Sequence, residues 1–89
     1  MHARLDPAAA AAGRADEAWL FLARPPGPAR TNVRWLDARG DLRGAARRLF
    51  ARLRELDAAG YRHLHLESAP GEDGFALAIN DRLRRAAAR

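Results

Sequence analysis

Asp41-Leu-Arg-Gly-Ala-Ala-Arg-Arg-Leu-Phe-Ala-Arg-Leu-Arg-Glu-Leu-Asp-Ala-Ala-Gly60, followed by His63-Leu-His-Leu-Glu67, is the stretch that decides the fold. Leu42, Ala45, Ala46, Leu49, Phe50, Leu53 and Leu56 recur at the i, i+3, i+4, i+7 spacing of a helix with one buried face. Arg43, Arg47, Arg54 and Glu55 fall mostly on the opposite side. Asp41 suits the N-cap and Gly60 the C-terminal stop. His63 to Glu67 alternates with period two, as a strand does, and so does Asn32-Val-Arg-Trp-Leu36 upstream, with Val33 and Trp35 on one face. Strand, helix and strand in this order make a βαβ unit, which is parallel and right-handed by rule.

Working outward, Ala18-Trp-Leu-Phe-Leu-Ala23 is a short apolar run that stops at Arg24-Pro-Pro-Gly-Pro28. Its length and aromatics predict a further strand. Only about seven residues, Arg24 to Arg30, separate it from the next strand, against the dozen or more of a parallel crossover. If the two are neighbours, the expectation is antiparallel pairing. Ser68 to Gly74 is a loop, and Phe75 to Ala88 reads as a second amphipathic helix with Phe75, Ile79, Leu83 and Ala86 or Ala87 as its stripe. Residues 1–17 hold one short helix signal, with Asp6 as cap, Pro7 in the first turn and Gly13 at the end. They are expected as a loosely docked lead-in or linker remnant, and residues 18–89 as the domain. The fold class is α/β: a small two- or three-layer Rossmann-like fragment of about three strands, with one βαβ unit and a C-terminal helix.

Eighty-nine residues suffice for one small domain, which buries only about 60–65% of its unfolded surface. The absence of cysteine excludes disulfides, thiolate catalysis and cysteine metal sites. No apolar run reaches the ~18–20 residues of a membrane span, and the N-terminus carries no secretory signal pattern. The default is a soluble cytoplasmic protein without membrane contact. The net charge is +5 and every basic residue is arginine. With its abundant alanine, this composition reflects a GC-rich coding bias as much as a polyanion partner, although it attracts polyanions weakly.

Four features carry candidate chemistry. His63, His65 and Glu67 share one strand face and are acceptable metal ligands, but one face of a short strand converges poorly. A solvated or helix-covered polar face is the simpler reading, so no metal or cofactor is assigned. Glu72 and Asp73 precede a helix, where they fit capping and repel phosphate. Arg82, Arg84, Arg85 and Arg89 make a basic end without interleaved aromatics for stacking on bases. Trp19, Phe21 and Trp35 are read as core.

Two phrases carry a resemblance: Ala46-Arg-Arg-Leu-Phe-Ala-Arg-Leu-Arg-Glu-Leu-Asp-Ala-Ala-Gly60, and Ala78-Ile-Asn-Asp-Arg-Leu-Arg-Arg-Ala-Ala87 behind a strand ending in Glu67. In this order they resemble the C-terminal domain of threonylcarbamoyl-AMP synthases, the two-domain YrdC-type enzymes of tRNA threonylcarbamoyladenosine synthesis. The resemblance covers residues 18–89. It departs from the family at Phe50, where a tyrosine is usual, and at His63 and His65, where aliphatic residues are usual.

The resemblance implies a chain without catalysis of its own, because in that family the YrdC-like domain binds ATP, threonine and bicarbonate. The chain then reads as the accessory domain alone, from a fragment, a split gene or an excised domain, whose partner is the catalytic domain. Asn80 and Arg82, in the most family-like phrase, are the candidate partner contacts. The structural alternative has Arg82 paired with Asp57 or Glu67 and Asn80 bonded at the helix–loop junction. Two other readings remain: a small basic module for tRNA or another polyanion, and a stand-alone α/β domain with a ligand pocket. The helix is expected to seat Leu49, Phe50, Leu53 and Leu56 on the strand face of Leu64 and Leu66.

Overall fold

The structure, a computed structural model, describes residues 1–87. In chain order the elements are α1 (Pro7–Ala11), β1 (Glu17–Phe21), β2 (Val33–Trp35), α2 (Leu42–Ala59), β3 (His63–Leu66) and α3 (Gly74–Ala87). The sheet order is β2-β1-β3 and both pairings are parallel. The apolar run therefore forms the central strand, covered on both faces. The βαβ unit spans it: α2 carries the chain from one edge of the sheet to the other.

Parallel pairing of β1 with β2 corrects the antiparallel expectation. The strands are shorter than the apolar runs, so the connection is residues 22–32, eleven residues rather than seven. Eleven residues reach up to about 36 Å, which is ample to return beside a five-residue strand. Helical crossovers need a dozen or more residues; this one holds no helix and carries Pro25, Pro26 and Pro28.

Alternation along β1 sorts the side chains into two layers. Ala18, Leu20 and Leu22 join Leu36, Leu66, Ala45, Leu49, Leu56, Ile79 and Leu83 under α2 and α3. Trp19, Phe21 and Val33 join Leu5 and Ala10 on the other face, with Trp35 packed against them. The lead-in is thus not loosely docked. Leu5 and Ala10 are buried, His2 forms a parallel bridge with Glu67, and Asp6 caps α1 through the amide of Ala8. Few apolar residues were needed, because the two large rings of β1 and a close backbone approach supply the contact. A Cβ on Gly13 would overlap the indole of Trp19, so only glycine fits there.

The helix α2 begins and ends on its sequence signals, and α3 begins on its own. The carboxylate of Asp41 accepts from the amide of Gly44 at 3.1 Å, and Gly60 takes a left-handed φ of 73° at the other end of α2. Asp73 accepts from the amide of Ala76 at 2.8 Å, the capping role expected of it. The buried faces are narrower than the pattern implied. Phe50 is 54% exposed and Phe75 42% exposed, whereas Ala76, Ile79, Asn80 and Leu83 form the inner face of α3. Ala45 and Ala76 take fully buried positions of the two helices, and the two phenylalanines lie at the flanks. Ala88 and Arg89 lie outside the described residues.

The corrected register predicts a contrast between two substitutions. Leu56→Ala, at a fully buried position, lowers unfolding free energy by ~2–5 kcal/mol. Phe50→Ala costs less than about 1 kcal/mol. Urea denaturation of both variants measures this, and equal losses would return Phe50 to the core.

Candidate functional site

Sheets of this topology open at the carboxyl ends of the strands, where the order reverses beside the first strand. Here that opening lies between the ends of β1 and β3. Glu67 fills it. Its carboxylate accepts from the amide of Leu22 at 2.7 Å and from that of Leu5 at 2.8 Å. Residue 2 borders the same end: its amide donates to the Leu66 carbonyl, and its carbonyl accepts from the Ser68 amide. The crevice is held shut by the chain's own N-terminal segment. A carboxylate already taken by two amides is a poor metal ligand.

His65 follows the same logic. It lies opposite Trp19 in the sheet register, stacks on that indole at 4.8 Å, and bonds the Glu17 carboxylate at 2.8 Å. The His2 ring lies 5.8 Å away. Together these groups form a polar lid over one edge of the second core. Among the described residues no three His, Asp or Glu side chains are placed to hold a metal ion, and no helix is long and apolar enough to cross a membrane.

Asn80 and Arg82 diverge. Asn80 is only 9% exposed. Its side-chain oxygen accepts from the Ala69 amide at 2.7 Å, and its nitrogen donates to the Ala69 carbonyl at 3.0 Å. The pair of bonds fixes the loop between β3 and α3, as the junction alternative had it. The Arg82 guanidinium lies over the ring of Phe50, 4.2 Å from its centroid. A matching pair sits two turns earlier, with Arg43 5.8 Å from the centroid of Phe75. Positions 43 and 50 on α2 face 75 and 82 on α3, so the helices run parallel and the two pairs form a ladder with arginine and phenylalanine exchanged. Sequence reasoning missed this ladder because it read both phenylalanines as core; the shared spacing of seven was the available signal.

Two carboxylates are held below their ordinary range. For Glu17 the main cause is the bond from His65, then the Arg14 amide. For Asp37 the amide of Asp41 leads, with the Arg39 amide and the Arg48 guanidinium adding to it against partial burial. A carboxyl lowered in the folded state stabilises fully above its unfolded value, and that contribution is lost as pH falls through the folded one. The melting temperature is therefore expected to be flat above about pH 5 and to fall below it. Glu17→Gln should shallow the acid limb; an unchanged limb would remove Glu17 from the account.

Asn80→Ala leaves the Ala69 amide and carbonyl without their side-chain partner and is expected to cost ~1–3 kcal/mol. A thermal melt of that variant reads it directly, and a wild-type melting temperature would contradict the assignment.

Comparison with known proteins matches the chain to a family: the model described as threonylcarbamoyl-AMP synthase, C-terminal domain, aligns with residues 3–88. Neither a curated protein nor a solved structure matches the chain.

Proposed function

Because the chain belongs to the family of threonylcarbamoyl-AMP synthase C-terminal domains, we propose that it acts without catalysis of its own, by packing on a YrdC-like catalytic domain. The ladder on the outer face of α2 and α3 is the observation that carries this reading. Phe50 and Phe75 remain largely exposed in a chain that has few large apolar residues to spare for its core. Arginine and aromatic residues are the side chains that dominate protein interfaces energetically. The guanidinium of Arg82 is a contact in this reading, while Asn80 serves the loop behind it.

The task of such a domain follows from the chemistry it would cover. A carbamoyl adenylate is a mixed anhydride, open to attack by water. A second domain seated over the nucleotide site excludes that water and commits the intermediate to its acceptor. The contribution is to closure, so it alters the yield of the intermediate more than its chemistry.

Titration of a separately prepared YrdC-like catalytic domain with the full 89-residue chain tests the proposal. Micromolar binding is expected. Arg82→Ala should weaken it about tenfold, the scale of a hot-spot loss, without changing the melting temperature. The chain by itself should release no pyrophosphate from ATP with threonine and bicarbonate. Threonine-dependent release by the chain alone, or binding indifferent to both Arg82→Ala and Phe50→Ala, would refute it.

A further inference from the structure

Trp35 and four arginines meet at the free edge of the sheet. β2 is an edge strand, and a groove of about 370 Å³ follows it, lined by Arg30, Thr31, Arg34, Trp35 and Arg52. The groove shares Trp35 and Arg30 with a second hollow under the proline segment. There the Arg24 guanidinium lies 5.2 Å from the Trp35 ring centroid. Trp35 is the aromatic residue that the second core leaves half-buried, so its indole borders both hollows.

Three of the four arginines are oriented by backbone carbonyls. Arg30 donates to the carbonyls of Ala10 and Ala11, Arg34 to that of Thr31 at 2.8 Å, and Arg52 to that of Trp35 at 3.1 Å. Carbonyls hold a guanidinium in place and leave its charge intact. The groove lining holds no carboxylate. Among the described residues the carboxylate that reaches its arginines is that of Glu55, 3.5 Å from Arg34 and 3.0 Å from Arg52. Cationic charge therefore remains in excess beside a flat ring. The bond from Arg52 also occupies the outward carbonyl of Trp35, which discourages addition of a peptide strand at this edge.

A ligand matched to this surface is planar in one part and anionic at regular intervals in another. Single-stranded nucleic acids have that form, and the proteins that bind them pair an aromatic platform with a cationic track. We propose that the β2 groove binds a single-stranded nucleic acid, with one base against Trp35 and neighbouring phosphates on Arg30, Arg34 and Arg52. The site uses other residues than the α2–α3 ladder and stands independently of the proposed packing on a catalytic domain.

Fluorescence anisotropy of a labelled octauridine titrated with the full chain tests this. Trp35→Leu keeps an apolar filler and should weaken binding at least about fivefold, the loss of one stacked base. Arg34→Gln and Arg52→Gln should each lower the salt dependence of log K by about one phosphate contact. The double variant Arg84→Gln with Arg85→Gln, on the exposed end of α3, should stay within about twofold of wild type. If that control weakens binding as much as the groove variants, the attraction is diffuse charge and the proposal fails. It fails equally if uridine monophosphate competes as well as the octamer, or if a glutamate oligomer does. Circular dichroism checks that each variant is folded, and should Trp35→Leu unfold, the two arginine variants against the control decide the question.

Discussion

Glu67 stands at the carboxyl end of β3 and accepts hydrogen bonds from the amide of Leu22, where β1 ends, and from that of Leu5 in the N-terminal segment. Three parts of the chain far apart in sequence meet on one side chain. The consequence for the fold is direct. With Leu5 held there, α1 starts in position to lay Ala10 on Trp19 and Phe21, and the second layer exists. The consequence for function is equally direct. The switch-point opening that serves as a ligand site in larger sheets of this kind is filled by the chain itself.

The helices and the strand run of β1 were legible because each obeys a local rule: Asp41 and Asp73 cap, Gly60 stops, Leu49 and Leu56 repeat at helical spacing. The parallel topology around β1 was not, because it depends on how many residues the strands leave to the connection, and strand ends are not written in the apolar run. The docking of the N-terminal segment through Leu5 and Ala10 escaped for a similar reason. It is fixed by Glu67 and by the fit of Gly13 against Trp19, contacts between residues that share no local pattern. Of the candidate site, Asn80 was found by its place in a phrase, but its bonds to Ala69 assign it to the loop. Trp35 was read as core, and its sequence neighbours Arg24, Arg30 and Arg34 gained meaning only when Arg52 arrived from α2.

Arginine without lysine can be read as a coding bias, and the structure gives that bias a physical use. Among the described residues guanidinium groups lie over aromatic rings at three places, on Trp35, Phe75 and Phe50. An ammonium would be more strongly hydrated and could not stack its plane on a ring. Each stacked or carbonyl-bound arginine has already lost much of its rotamer freedom before any partner arrives. Ordering of long side chains is among the larger costs of association, and here the fold bears it beforehand. This is why two quite different surfaces, the ladder of α2 with α3 and the groove along β2, can both be strong candidates for recognition in a chain of this size. The same preorganisation separates them from Arg84 and Arg85. Those lie on the exposed end of α3, where Arg85 pairs with Asp81 one turn back, and an arginine on such an exposed helix face contributes attraction with little geometry.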